Sequence, residues 1–363
     1  MILVADAMEL PLRDASVQCV VTSPPYYGLR KYAGVQEFVW EHADGTTWTG
    51  ALGGEPTPEM YVAHLVEVFG EIRRVLAPSG TVFLNIGDSY ARTGGTDRVV
   101  PPTARVGNTK RTIPASEDRT QVRPRGYKDK DRLLIPAQVA LALRADGWYL
   151  RDEIIWHKPN TMPASITDRT TCAHEMVYLL TKRPRYYYDA DALRTPYAEA
   201  TIPSRLRAVG AVETYTGQAT KDYVGAGAQD PSDTKRRVLA SIARGKGANA
   251  RSVWKIATQP FKGAHFATMP KMLAERCIKA GSKPGDIVLD PFGGSGTVAL
   301  VAQGLGRRGV CADLAHEYAV MAHLRLQGRE REIRQPDKQA GHGRRHAGFN
   351  ERYFGRGATV AND

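Results

Sequence analysis

The sequence predicts an α/β fold built on a mostly parallel sheet, and three observations carry that reading. Short apolar runs with strand character alternate with segments whose apolar residues recur at helical spacing. Between residues 286 and 314 a strand, a glycine-rich loop, a helix and a second strand follow one another, the outline of a nucleotide-binding βαβ unit. An earlier apolar run, Val17–Thr22, ends at a stiff Pro24-Pro25 turn.

In chain order, Met1–Ala5 and Val17–Thr22 read as strands. Pro58–Leu76 is a helix, with Met60, Leu65, Val68, Phe69, Ile72 and Leu76 on one face and a stop at Pro78-Ser79-Gly80. Thr81–Ile86 is a buried strand ended by Gly87-Asp88. Residues 92–132 lose periodicity and fill with Gly, Pro, Thr and Arg, as an insert does. Leu133–Ala145 returns to helix, and Tyr149–Trp156 and Met176–Thr181 form a pair of strands. Residues 194–252 are again rich in Gly, Thr and Arg. Then come a helix at Lys271–Ala280, a strand at Asp286–Leu289, a helix from Thr297, a strand at Gly309–Leu314 and a helix from His316. The polar, Gly/Arg-rich stretch 327–363 reads as a flexible tail. Three pieces, 1–90, 133–193 and 253–326, thus make one domain, and 91–132 and 194–252 are inserts. With 363 residues the chain can bury one large core or two smaller ones.

Composition narrows the function. The start, Met1 to Asp6, has no basic n-region, and no run approaches the length of a membrane span, so neither a secretory signal nor a membrane partner is expected. Cys19, Cys172, Cys277 and Cys311 are far apart, suggesting no disulfide framework and no metal site, and suiting a reducing cytoplasm. The net charge of +12 is uneven. Residues 92–132 and 194–255 each hold 11 Lys/Arg against 5 Asp/Glu, which leaves the rest of the chain neutral. A neutral body with two basic segments suits a polyanion partner; two solvated loops with no partner is the bland alternative.

The loop Asp290-Pro291-Phe292-Gly293-Gly294-Ser295-Gly296-Thr297 lets backbone approach a ligand closely before turning into a helix. Asp313 lies 23 residues beyond Asp290, at the end of the next strand, where an acid can accept hydrogen bonds from ribose hydroxyls. The loop departs from G-x-G-x-x-G, which disfavours a nicotinamide or flavin dinucleotide, and no G-x-x-x-x-G-K-[ST] is present to suggest an ATPase.

In Thr22-Ser23-Pro24-Pro25-Tyr26 the two prolines remove amide donors and leave carbonyls as acceptors. Ser23 adds a side-chain acceptor and Tyr26 a stacking face. Such a turn can hold a planar base by its exocyclic amino group. Acceptors on both N–H bonds favour a pyramidal nitrogen and free its lone pair for attack on a methyl group. Catalysis would then be positioning and electrostatics, with no covalent enzyme intermediate. Tyr26 is the candidate for stacking on the base, and Tyr27 for core or wall.

The two segments together resemble the catalytic and S-adenosylmethionine-binding motifs of amino-methylating DNA methyltransferases. Their order, catalytic motif first, resembles the permuted β-group of that family. The resemblance implies a Rossmann-like, S-adenosylmethionine-dependent methyltransferase fold with circularly permuted motif order. It assigns Ser23, Pro24, Pro25 and Tyr26 to catalysis. It puts Phe292, Gly294 and Gly296, with Asp290, Gly293, Ser295 and Thr297 around them, at the cofactor, and Asp313 at its ribose. Asp6 falls near the adenine, and Phe266, within His265–Pro270, near the methionine end. Trp156-His157-Lys158-Pro159-Asn160 resembles a late motif beside the target base, with Lys158 contacting DNA. Lys235, Arg236 and Arg237 sit in 194–252, where the family carries target recognition.

Ser at the first position of the four-residue motif is typical of the family's cytosine-N4 enzymes, and Asp or Asn of its adenine-N6 enzymes. The implied reaction is therefore methylation of cytosine N4 in double-stranded DNA after base flipping, with adenine N6 as the alternative. A catalytically idle DNA-binding protein and an RNA methyltransferase are further alternatives. Carbon-5 methylation needs a Cys nucleophile that in that family follows Pro, and none of the four cysteines does. A homodimer and a cognate restriction endonuclease are the protein partners such an enzyme can have.

Overall fold

A single eight-stranded sheet organises the chain, in the order β1-β10-β9-β2-β5-β7-β6-β8. The strands are β1 (Ile2–Val4), β2 (Val17–Thr22), β5 (Leu76–Ile86), β6 (Tyr149–His157), β7 (His174–Thr181), β8 (Val253–Lys255), β9 (Ile287–Asp290) and β10 (Arg308–Asp313). A separate hairpin pairs β3 (Phe38–Glu41) with β4 (Thr47–Gly50). The helices are α1 (Pro58–Val75), α2 (Ile135–Ala145), α3 (Lys271–Gly281), α4 (Thr297–Gly304) and α5 (His316–Leu326). This is a computed structural model; it describes residues 1–28, 38–41, 45, 47–91, 126–196, 247–259 and 268–333. Phe266, Lys235, Arg236 and Arg237, most of both basic segments and the tail beyond 333 lie outside the described residues.

Two compact units are distinguished, Met1–Tyr187 with Val253–Asp363, and Tyr188–Ser252. In the smaller one, the described residues form a short 3₁₀ turn, Asp191–Leu193, and a bridge between Thr195 and Ala248. The sheet and the helices around it belong to the larger unit.

Seven of the eight sheet strands run one way, and β7 alone runs antiparallel, between β5 and β6. Side-chain alternation sorts the two faces. Val20, Val82 and Leu84 pack toward the core shared with α1 residues Tyr61, Leu65, Val68, Phe69 and Ile72. On the other face α3 comes so close that a Cβ at Gly281 would sit 2.7 Å from Cys19 Sγ and 3.1 Å from Phe83. The result is a three-layer α/β/α arrangement, as alternating strands and helices predict.

Helix α1 starts where its residues dictate. Thr57 accepts the Met60 N–H at 3.2 Å, Pro58 takes the first turn, and Arg73 and Arg74 end the helix against its dipole. The helix ends at Val75, just ahead of the expected stop at Pro78-Ser79-Gly80, and those three residues lie in a bulge inside β5. Val17 pairs with Leu76 but Cys19 pairs with Thr81, so residues 77–80 loop out of register without ending the strand. Helix α2 lacks a side-chain cap of its own, its N-cap Leu134 having φ 55°. Asp88, two residues past β5, accepts the Ile135 N–H at 2.9 Å and the Arg132 guanidinium at 2.6 Å and so caps α2.

Among the described residues, no helix is long and apolar enough to cross a membrane.

Candidate active site

The sheet order creates a switch point between β9 and β2. From β9 the chain crosses through α4 to β10 on one side; from β2 it crosses through α1 to β5 on the other. Connections that leave in opposite directions open a crevice at the C-terminal strand ends, where α/β sheets bind ligands. Thr22 ends β2 and Asp290 ends β9. The Thr22 hydroxyl donates to Asp290 Oδ1 at 2.8 Å, and both residues are buried. The proline turn and the glycine loop, 268 residues apart in sequence, are thus tied together.

Asp290 Oδ1 also accepts the Phe292 N–H at 3.1 Å and so shapes the first turn of the loop. Burial pushes the Asp290 carboxyl up to about 7, the hydroxyl and backbone donors opposing it only in part. At the end of β10, Asp313 accepts Gly294 N–H through Oδ2 at 2.8 Å and Ala315 N–H through Oδ1 at 2.9 Å. Burial raises its carboxyl too. Gly296 has φ 72°, and a Cβ there would lie 2.6 Å from Ala322 Cβ on α5, so only glycine fits. Arg325, on α5 and 4% exposed, donates to the Ser295 carbonyl at 2.5 Å, to Ser295 Oγ at 2.9 Å and to Thr297 Oγ1 at 3.0 Å. The side chains of Ser295 and Thr297 are therefore engaged from α5, and what the loop offers a ligand is chiefly backbone at the start of α4. Asp6 follows β1, whose Val4 pairs with Asp313, and its Oδ1 accepts Met8 N–H at 2.9 Å. The acids expected at a nucleoside-like cofactor, Asp6, Asp290 and Asp313, therefore follow or end strands at one edge of the sheet, and the loop between them fits such a group.

Past Thr22 the proline turn feeds a hydrogen-bonded chain. Ser23 Oγ lies 3.1 Å from the Tyr26 hydroxyl, which lies 2.8 Å from Glu175 Oε2. Asn85, near the end of β5, donates to Glu175 Oε2 at 3.1 Å and to the Met176 carbonyl at 3.2 Å. Glu175 Oε1 forms an ion pair with Lys158, whose ammonium sits 4.4 Å from the Trp156 ring centroid. An ionised carboxylate only accepts. Tyr26 must therefore donate to Glu175, its oxygen must accept from Ser23, and Ser23 Oγ keeps lone pairs for another donor. Among the described residues the Pro24 carbonyl has no hydrogen-bond partner. Burial first, and the Glu175 carboxylate second, push the Tyr26 hydroxyl well above its ordinary range, so it stays protonated.

The rear of the turn is fixed by packing. Tyr61 donates to the Pro25 carbonyl at 2.8 Å, and Gly28 N–H to the Gly53 carbonyl at 2.8 Å. Gly53 N–H is held by Glu55 Oε2 at 2.7 Å, while Glu55 Oε1 meets His64 Nδ1 at 3.0 Å, with both side chains fully buried. His64 stacks on Trp40 at 3.9 Å and Trp48 at 5.5 Å, which is what the β3–β4 hairpin contributes. Tyr27 is buried against Tyr61, as core.

Sequence reasoning brought together Ser23, Pro24, Pro25, Tyr26, Asp290, the glycines and Asp313. It named Lys158 as a DNA contact; in the structure its ammonium pairs with Glu175. It missed Glu175 and Arg325. Glu175 left one signal, an acid just ahead of the apolar run Met176–Leu180; Arg325 left none, being one basic residue on a helix.

Residues 17–323 match a family model for N6/N4 methylases, described as DNA methylase. The chain is 38% identical over 323 residues to Type II methyltransferase M.XycI of Xanthomonas campestris pv. cyanopsidis, covering 89% of this chain and 85% of that protein. It is 37% identical over 327 residues to Type II methyltransferase M.SmaI of Serratia marcescens, covering 90% of each. Among solved structures, PvuII DNA methyltransferase (cytosine-N4-specific) superposes with a TM-score of 0.54 at 17% identity, covering 94% of this chain and 87% of that one, a likeness of fold.

Proposed function

The chain belongs to the N6/N4 DNA methylase family, and from that premise we propose that it is a Type II, site-specific enzyme that methylates cytosine N4 in double-stranded DNA. It is a DNA methyltransferase with the Rossmann-like fold of the class and S-adenosylmethionine as cofactor, its catalytic turn preceding its cofactor loop in sequence. The observation that carries the proposal is the buried Thr22–Asp290 hydrogen bond, which couples an amino-group-binding turn to a nucleoside-binding loop at 2.8 Å.

The glycine loop, Asp313 and Asp6 would hold the cofactor, which supplies an activated methyl group on a sulfonium centre. Ser23 Oγ and the Pro24 carbonyl are the two acceptors for the target amino group, one for each N–H. By holding both hydrogens they favour a pyramidal nitrogen with an exposed lone pair, a stabilisation that grows toward the transition state. Tyr26, its hydroxyl fixed by Glu175, offers a ring to the flipped base. Serine at position 23 is the reason for preferring cytosine N4 over adenine N6. The basic composition of 194–252 makes it the proposed recognition segment, and the Type II relatives make a cognate endonuclease the proposed partner.

The test is to incubate protein, S-adenosylmethionine and mixed-sequence duplex DNA, digest to nucleosides and identify the product by mass and retention time. N4-Methylcytosine is expected. N6-Methyladenine would move the target base and keep the site chemistry; 5-methylcytosine would overturn it. Cofactor binding without any methylated DNA would point to RNA or to an idle binder. Single-molecule sequencing of DNA from expressing cells then gives the recognition site.

A further inference from the structure

We infer that Glu175 takes up the proton shed by the target amino group, delivered through Ser23 and Tyr26. The inference deepens the proposed amino-methylation and rests on it. As the nitrogen gains its bond to carbon, the sulfur–methyl bond breaks and the sulfur keeps the electron pair. The nitrogen then carries a positive charge and must lose one of its two hydrogens as a proton. Ser23 Oγ, with its own hydrogen committed to Tyr26, presents a lone pair to that proton. Proton uptake at Ser23 is matched by transfer of its original hydrogen to the Tyr26 oxygen, and of the Tyr26 hydrogen to Glu175 Oε2. Both contacts, at 3.1 and 2.8 Å, already have the donor order this transfer needs. Neither hydroxyl ends with a net charge, and the proton rests on the carboxylate.

Three features single out Glu175 as the acceptor. It is the only carboxylate hydrogen-bonded to Ser23 or Tyr26 among the described residues. Its position is fixed by Asn85 Nδ2 on the same oxygen and by Lys158 on the other. It is also mostly shielded, with 18% of its side chain exposed, so a direct exchange with bulk water is restricted. The groups facing it are the Tyr26 hydroxyl from the turn after β2, the Asn85 amide from β5 and the Lys158 ammonium after β6, which pairs with its other oxygen. Lys158 is then a positioning residue for that carboxylate.

Glu175→Gln is the decisive variant, because its amide oxygen can still accept from Tyr26 but cannot take up a proton. Calorimetry should give wild-type affinities for S-adenosylmethionine and for target duplex, showing an intact fold. Single-turnover methyl transfer should fall by at least 100-fold. The wild-type rate should decline on the acid side as the carboxylate becomes occupied, and that limb should be missing from the residual rate of the variant. Glu175→Asp should recover part of the loss. Lys158→Met, which removes the ion pair but leaves the carboxylate, should lose less than Glu175→Gln. A Glu175→Gln rate within threefold of wild type would overturn the inference, as would a Lys158→Met loss equal to or larger than it. A wild-type protein that binds cofactor but methylates no DNA would instead overturn the underlying reading.

Discussion

Replacing Asp290 by Asn should stabilise the cofactor-free protein, and increasingly so as pH rises. Asp290 is 6% exposed and has no cationic partner among the described residues; its donors are the Thr22 hydroxyl and the Phe292 N–H, both on Oδ1. Burial pushes its carboxyl from an ordinary 3.8 up to about 7. The folded state therefore favours the protonated form. The sign follows: for this group stability is greatest below about pH 4, is lost as pH rises toward 7, and is flat above. At about 1.4 kcal/mol per tenfold change in proton affinity, the full loss is on the order of 4 kcal/mol, with roughly 3 kcal/mol of it between pH 5 and 8. The amide of the Asp290→Asn variant would keep the oxygen that accepts both donors and would carry no charge at any pH. Glu55, also pushed up to about 7 by burial, titrates in the same window, so the wild-type curve alone is ambiguous. The difference between wild type and Asp290→Asn isolates the one carboxyl. Urea denaturation at unit steps from pH 5 to 8, with free energies extrapolated to water, measures it. Stability curves that run parallel across that range would refute the reasoning. They would mean that Asp290 is ionised in the fold at little cost.

Other outcomes follow from the same geometry. Asp313→Ala removes acceptors for Gly294 and Ala315 N–H and should weaken S-adenosylmethionine by roughly 1–3 kcal/mol, read by calorimetry. Gly87→Ala should cut turnover while leaving cofactor affinity within twofold, because its Cβ would lie 2.6 Å from the Tyr26 ring and displace it; steady-state kinetics beside calorimetry separate the two. Neutralising Lys235, Arg236 and Arg237 together should lower DNA affinity and flatten its salt dependence by up to about three units of slope, measured by fluorescence anisotropy across a salt series.

The parts of the fold that announced themselves were those with periodicity or punctuation. The helical spacing from Met60 to Ile72 and the Pro58 start gave α1, and the apolar run ending in Pro-Pro gave β2 to the residue. The β3–β4 hairpin was hidden because its strands are four residues each and its Trp40 and Trp48 are held by stacking on His64, a partner on α1. Strand β8 was hidden for a similar reason: three residues find their place only beside β6. At the site, motif residues were legible because chemistry constrains their types locally. Glu175 and Arg325 were not, because each acts through tertiary contacts, on Tyr26 and on the Ser295–Thr297 loop, that no local spacing encodes. Pro78-Ser79-Gly80 marked the end of α1, but that β5 already starts at Leu76 and absorbs those residues in a bulge was not legible, because it depends on pairing with β2.

The placement of β2 beside β9 has a consequence for how the polypeptide matures. Translation delivers Val17–Thr22 early, yet one of its two neighbours, Ile287–Asp290, emerges about 270 residues later, and β1 waits longer still for β10. Pairings this remote in sequence are slow to form, since a long loop must close before any contact rewards it. During that interval one side of an apolar strand, Val17-Gln18-Cys19-Val20-Val21-Thr22, stands open as a template for wrong partners. A nascent chain of this kind should lean on chaperones until its last third is made. The Thr22–Asp290 hydrogen bond that ties the proline turn to the glycine loop therefore forms only after residue 290 has been made.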